Sequence, residues 1–137
     1  MKKLLLSLFF VFGLGTSLHA EPAAPPYAWN IYYVGSEQYG YYEYTVGKNT
    51  TTEDHGGYIH FYVVVDGGYC YRTSVTWDGS VMTPFRTTPL DMNGDTITDR
   101  WVMEFEKSYA TEGSIQVKDY STPASAYKTV QDYLYVR

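Results

Sequence analysis

The sequence predicts an all-β protein, an antiparallel β-sandwich (immunoglobulin-like or jelly-roll-like) of about seven short strands. Three observations support this prediction. Runs of β-branched and aromatic residues recur along the chain, and glycine, asparagine and aspartate turn signals separate them at intervals of about 8–12 residues. No segment after the first twenty residues has the period of an amphipathic helix. A small β-barrel is the alternative that the same pattern allows.

The first twenty residues have the features of a secretory signal peptide. Lys2 and Lys3 precede an apolar segment at residues 4–14, and Leu18-His19-Ala20 matches a cleavage site. The apolar segment is too short to cross a bilayer. We therefore expect a secreted or periplasmic protein without a membrane span.

The remainder of the chain has the length of one ordinary domain. Residues 21–27 form a proline- and alanine-rich linker, and residues 28–137 form a single β domain. Removal of residues 1–20 takes away two of the ten basic residues and none of the 15 acidic ones, so the formal net charge changes from −5 to −7. Because an acidic surface repels polyanions, we expect no nucleic-acid partner.

The longest strand signal lies at residues 57–77. Two extended runs, 58–65 and 69–77, flank Asp66-Gly67-Gly68, which favours a tight turn. We interpret this segment as a central β-hairpin with a three-residue turn, because that register makes one face apolar. Val65 would then lie opposite Tyr69. The outer face would carry Tyr58, His60, Tyr62, Arg72, Ser74 and Thr76.

The other strands follow from the same alternation of apolar and polar residues. A tight turn is expected at Asp78-Gly79. Pro84 and Pro89 make residues 84–90 an edge strand or a connection, because proline has no amide hydrogen to donate to a neighbouring strand. The remaining predicted strands are residues 29–34, 41–46, 81–85, 96–107, 114–120 and 129–136.

Sixteen tyrosines are more than a domain of this size buries easily, since each buried hydroxyl needs a hydrogen-bond partner. We therefore expect an exposed aromatic patch. The chain is similar in size, acidity and strand layout to secreted β-sandwich carbohydrate-binding modules, in which flat side chains stack on sugar rings. This resemblance implies a glycan ligand. The candidate ligand-binding residues are Tyr58, His60, Tyr62, Arg72 and Trp77.

Motifs of catalysis are missing from the sequence. There is no G-x-S-x-G segment and no Cys-His arrangement, and Glu104 and Glu106 have the spacing of a solvated strand face. We therefore predict a secreted, non-catalytic binding module for an extracellular ligand, with a glycan favoured. A protein partner, with the chain acting as an inhibitor, effector or envelope component, is the alternative. A small hydrolase is a third.

One loop has the spacing of a calcium site. Oxygen-bearing side chains occupy positions 1, 3, 5 and 9 of this loop, namely Asp91, Asn93, Asp95 and Asp99. This spacing resembles the start of an EF-hand or dockerin-type calcium loop. Thr96 stands where that motif has glycine, however, and Asn93-Gly94 is also a strong turn signal. A calcium site and a plain turn therefore both remain open, and calcium is the one cofactor considered.

The single cysteine, Cys70, excludes a disulfide within the chain. Because tyrosines flank it in a predicted strand, we expect a buried, unreactive thiol. Together with Glu53, His55 and His60 it does not match a zinc-ligand spacing.

Overall fold

The structure, a computed structural model, describes residues 26–119 and 133–137. The predicted signal peptide and most of the predicted linker lie outside these residues. The described part is all-β, as predicted, and contains no helix that is long and apolar enough to cross a membrane. Its strands are β1 (Ala28–Ser36), β2 (Tyr42–Tyr44), β3 (Gly57–Asp66), β4 (Thr73–Trp77), β5 (Ser80–Met82), β6 (Arg86–Leu90), β7 (Arg100–Ala110), β8 (Gly113–Asp119) and β9 (Tyr133–Val136).

The strands form two antiparallel sheets. The larger sheet has the order β2-β1-β3-β7-β6, and the smaller sheet has the order β5-β4-β8-β9. The sheets do not close on each other through strand pairing, so the predicted β-sandwich is confirmed and the barrel alternative is wrong. One core fills the space between them, as expected for two packed sheets.

The inner faces of both sheets contribute to this core. In β3 the alternation predicted from the sequence is confirmed, because Ile59, Phe61, Val63 and Val65 are all fully buried. The ring of Phe61 stacks on that of Phe105 at 5.1 Å between centroids and lies 6.3 Å from that of Trp77 in the opposite sheet. These aromatic rings therefore join the two layers.

The predicted central hairpin is wrong. Strand β3 pairs with β1 and β7, whereas β4 pairs with β5 and β8 in the other sheet. Val65 lies opposite Trp29 and Trp101 rather than Tyr69. The Asp66-Gly67-Gly68 segment thus begins a crossover between sheets. Alternating apolar residues face the core equally well from beside a strand or from across the sandwich, so the pattern could not distinguish the two.

Several local predictions agree with the structure. Asp78 and Gly79 join β4 to β5 with φ values of 48° and 81°, as a two-residue hairpin turn requires. Strand β6, which contains Pro89, is an edge strand. Cys70 is a free, buried cysteine, and burial raises the pKa of its thiol. The last predicted strand is described from residue 133, and residues 129–132 lie outside the described part.

Candidate ligand-binding site

The outer face of the larger sheet carries an aromatic row. Tyr44, Tyr33 and Tyr62 lie opposite one another on β2, β1 and β3, and the row continues to Glu104 on β7 and Arg86 on β6. The ring of Tyr33 lies 5.6 Å from that of Tyr44 and 6.3 Å from that of Tyr62, with edge-to-face geometry. Tyr33 and Tyr44 are exposed. Strand pairing therefore builds a continuous aromatic surface from residues far apart in sequence.

A second row lies beside the first one. It runs through Tyr42, Gly35, His60 and Glu106. A Cβ atom on Gly35 would lie 2.6 Å from the Tyr42 ring, so only glycine leaves room for the ring to lie across the strand. In this position the Tyr42 hydroxyl is 2.8 Å from His60 Nδ1, and its ring is 5.6 Å from that of Tyr62. Tyr42 thus links the two rows.

A groove of about 350 Å³ lies beside the second row. Glu37 stands at its rim, where a carboxylate oxygen accepts a hydrogen bond from the Tyr58 amide at 3.1 Å. The Tyr58 hydroxyl is hydrogen-bonded to Glu106, which raises the pKa of Tyr58 to about 12, so this hydroxyl stays neutral. The lining residues are Gly35, Ser36, Glu37, Gly40, Tyr41, Tyr42, Tyr58 and His60.

His60 is incompletely paired at the centre of the surface. Its Nε2 atom is buried without a hydrogen-bond partner, and the nearest carboxylate oxygen, of Glu104, is 3.7 Å away. Glu104 is only 6% exposed, unlike the solvated residue expected from sequence, because it lies between strands and pairs with Arg86 at 3.0 Å. Burial is the main cause that raises the pKa of Tyr62 to about 12, and a hydrogen bond with Tyr42 adds to it.

The structure brings three of the five predicted ligand-binding residues together. Tyr58, His60 and Tyr62 lie half-buried on this face of β3. Arg72 lies apart, in the connection between the sheets, with its guanidinium over the Tyr71 ring. Trp77 is 5% exposed in the core, so its predicted place in a binding surface is wrong: β4 turns this side chain towards Phe61.

Sequence reasoning missed the residues on β1 and β2. Tyr33, Gly35, Tyr42 and Tyr44 reach the surface because β1 and β2 pair beside β3. The alternation of Tyr42, Glu43 and Tyr44 was the available signal, since it places both tyrosines on one face. Their proximity to His60 follows only from the pairing of the strands.

A buried polar cluster lies on the opposite side of the same strands. His55 Nε2 is 3.1 Å from a Glu43 carboxylate oxygen, and His55 Nδ1 is 2.9 Å from the Ser36 hydroxyl oxygen. Serine, histidine and acid in this order suggest a nucleophile with its base. However, Ser36 is opposite Ile59 on the inner-facing side, and His55 is 1% exposed. Because the His55 ring is buried, a structural role is the better interpretation.

Glu43 holds this cluster together. Burial alone would raise the pKa of its carboxyl, but hydrogen bonds from the amides of Thr52 and Glu53, together with Lys48 and His55, lower it to about 2. The residues after β2 also bond to the smaller sheet, because the Thr51 amide donates to the Tyr135 carbonyl at 2.9 Å. The Glu43 cluster thus connects the two sheets at one end of the sandwich.

The predicted calcium loop is a compact, exposed turn. Carboxylate oxygens of Asp91, Asp95 and Asp99 lie within 4.8 Å of one another, and no other trio of His, Cys, Asp or Glu converges in this way within residues 26–119 and 133–137. The Asp91 carboxylate accepts hydrogen bonds from three loop amides, chiefly that of Thr96, which lowers its pKa. Asn93 accepts one from the Asp95 amide. These bonds account for the turn, and calcium binding stays a prediction.

Comparison with known families gives one match. Residues 21–136 match the model of a family described as "Domain of unknown function (DUF4879)", so the chain belongs to this family. Searches of curated proteins and of solved structures found no match. The family description names neither a ligand nor a reaction, so the function has to be argued from the surface itself.

Proposed function

We propose that this member of the DUF4879 family is a secreted or periplasmic, non-catalytic binding protein whose ligand is an extracellular glycan. The observation that carries the proposal is the groove, where the side chains of Tyr41, Tyr42 and Tyr58 stand beside the polar groups of Glu37 and His60. Export rests on the signal-like sequence of residues 1–20.

A sugar matches this mixture of groups. Sugar rings have apolar C–H faces that pack on aromatic rings, while their hydroxyls need hydrogen-bond partners. The groove offers tyrosine rings for the first and a carboxylate and an imidazole for the second. Its volume of about 350 Å³ falls at the small end of the usual range for small-molecule sites, roughly 300–1,000 Å³.

A protein partner is the second candidate. Tyr33 and Tyr44 extend the exposed aromatic area beyond the groove towards the edge strand β2. Exposed tyrosines of this kind are enriched in protein interfaces because they bury a large area at small entropic cost. A protein partner that covers the flat part of the surface would depend on Tyr33 and Tyr44 and little on Tyr41, whereas a glycan of any length would depend on Tyr41 and Tyr42.

A glycan array followed by titration tests the proposal. The full-length sequence is expressed in bacteria and the exported protein is purified, with its N-terminus read by mass spectrometry. We expect saturable binding to one class of glycan and a loss of about tenfold or more in affinity for Tyr41→Ala, because stacking area is removed. Tyr71→Ala is the matched control, since Tyr41 and Tyr71 are 76% and 74% exposed and Tyr71 lies outside the groove.

Two outcomes would contradict the proposal. One is a folded, exported protein that binds no glycan on the array. The other is an equal loss of affinity in Tyr41→Ala and Tyr71→Ala, which would place the ligand elsewhere.

The calcium prediction is tested on the same material. If calcium binds at the loop, its addition after chelation raises the melting temperature, because ligands that bind only the folded state stabilise it. Asp95→Asn removes one converging carboxylate charge and should abolish the increase. An identical melting temperature with calcium and with chelator would leave the loop as a plain turn.

A further inference from the structure

The charges around the groove point to one class of glycan. We infer that the groove selects a cationic, amine-bearing sugar, such as a glucosamine oligomer, over a neutral or acidic one. This inference rests on the proposed function and specifies its ligand.

Two carboxylates flank the aromatic wall of the groove. Glu37 contacts the backbone amide of Tyr58, and Glu106 accepts a hydrogen bond from the hydroxyl of the same tyrosine. Both glutamates are exposed. Among the ion pairs within the described residues, none involves either carboxylate, so each keeps its negative charge uncompensated.

Other carboxylates of this sheet are neutralised, which sets the two apart. Glu104 pairs with Arg86, Asp66 pairs with Arg100, and Glu43 pairs with Lys48. Arginines thus compensate one acid of β7 and one of β3, and Lys48 compensates Glu43 on the inner side of β2. The carboxylates of this sheet that have no ion-pair partner among the described residues, Glu37 and Glu106, therefore lie beside the groove.

The other residues that line the groove are compatible with a positively charged ligand. None of the described groove residues is lysine or arginine, and Glu37 is the one acidic residue among them. Tyrosine faces attract cations through the ring quadrupole, so an ammonium group beside Tyr41 or Tyr42 gains from the ring as well as from Glu37. A uronic acid would instead be repelled, both locally and by the net charge of −5.

A sugar fits this groove better than a basic peptide does. Among the described residues that line the groove, none has an aliphatic side chain, and its walls are tyrosine rings, glycines and small or polar groups. An extended peptide usually needs apolar pockets for its side chains, which this lining does not provide. Tyrosine hydroxyls can form hydrogen bonds with the many hydroxyls of an amino sugar, and the carboxylates can pair with its amine.

Titration calorimetry with matched oligosaccharides tests the inference. The exported protein is titrated with a glucosamine hexamer, an N-acetylglucosamine hexamer and a galacturonic acid hexamer at low ionic strength. We expect the glucosamine hexamer to bind about tenfold more tightly than its N-acetylated counterpart, and we expect added salt to reduce that difference. Binding of the galacturonic acid hexamer should be the weakest.

Charge-removing variants locate the effect. Glu37→Gln and Glu106→Gln should each reduce the preference for the glucosamine hexamer over the N-acetylglucosamine hexamer by about threefold or more. Glu112→Gln is the matched control. Glu112 also accepts a hydrogen bond from a tyrosine hydroxyl, that of Tyr135 at 2.7 Å, but it lies outside the groove.

The outcomes separate the inference from the function on which it rests. Equal affinity for the free and the N-acetylated hexamer would overturn the inference and leave the glycan-binding proposal standing. Binding of neither hexamer, nor of any glycan on the array, would overturn both. Tighter binding of oligolysine than of the glucosamine hexamer would replace the sugar with a basic protein partner.

Discussion

Two polar regions on opposite sides of the same strands differ in how completely their groups are paired. Strand β2 contributes to both, because its middle residue, Glu43, faces inward while Tyr42 and Tyr44 face outward. The Glu43 carboxylate accepts hydrogen bonds from backbone amides and from Lys48, and it contacts His55. On the outer surface, Tyr42 and Tyr44 stay exposed.

The two histidines make the difference clear. His55 is buried, and each of its ring nitrogens has a partner, Ser36 for one and Glu43 for the other. His60 has Tyr42 at Nδ1, whereas its Nε2 has no hydrogen-bond partner. Complete pairing of buried polar groups is typical of a region that stabilises the fold, and incomplete pairing beside a groove is typical of a region that binds something. Each prediction below tests this contrast.

The largest effect is expected for Glu43→Gln. The substitution removes a buried negative charge from the ion pair with Lys48 and replaces one of the two carboxylate oxygens that accept hydrogen bonds from the Thr52 and Glu53 amides with an amide group, which donates. We expect the free energy of unfolding to fall by about 3–5 kcal/mol, measured by urea denaturation. Glu106→Gln, on the outer face, should change it by less than about 0.5 kcal/mol. Similar decreases in the free energy of unfolding for Glu43→Gln and Glu106→Gln would contradict the difference proposed between the two regions.

The pH dependence of stability should report the same carboxylate. Its pKa in the folded state, about 2, lies below the usual value of 4.5, so the folded state favours the charged form. The resulting stability is fully present above pH 4.5 and is lost as the pH falls towards 2, by about 3 kcal/mol in total. Urea denaturation between pH 6 and pH 2.5 measures this loss. The free energy of unfolding of Glu43→Gln should depend less steeply on pH than that of the wild-type protein. Equal pH dependence of the two proteins would mean that Glu43 is not the carboxylate responsible.

A smaller effect is expected for Gly35→Ala, which places a methyl group against the Tyr42 ring. We expect a loss of about 1–3 kcal/mol, because the ring must move and its contact with His60 is broken. A double-mutant cycle with Tyr42→Ala should give a coupling free energy above about 0.5 kcal/mol, since the smaller side chain removes the clash. Purely additive losses would mean that Gly35 is needed for another reason.

The smallest effect on stability is expected for Tyr44→Ala. Its ring contacts Tyr33 across two strands, and such pairs contribute roughly 0.2–1 kcal/mol. Affinity for a long oligosaccharide should nevertheless fall, whereas affinity for a disaccharide held in the groove should not change. Titrations with ligands of both lengths measure this, and equal losses for both lengths would place Tyr44 in the groove site itself.

Part of the candidate site could be predicted from the sequence. Tyr58, His60 and Tyr62 alternate with buried aliphatic residues, so their shared outer face follows from strand geometry alone. Trp77 was misassigned because a tryptophan in a short strand fits a core and a binding surface equally well. Gly35 could not be recognised, because its importance arises only from the ring that lies over it.

By itself, the sequence determined the all-β class, the buried face of β3 and the Asp78-Gly79 turn, because alternation and turn chemistry depend on residues next to one another. Only the tertiary structure decided that β3 and β4 belong to different sheets and that β1 and β2 lie beside β3. A strand buries its apolar face against whichever layer opposes it, so the pattern along one strand carries no information about its neighbour. The groove, assembled from residues 35 to 60 on three paired strands, is a consequence of that choice of neighbours.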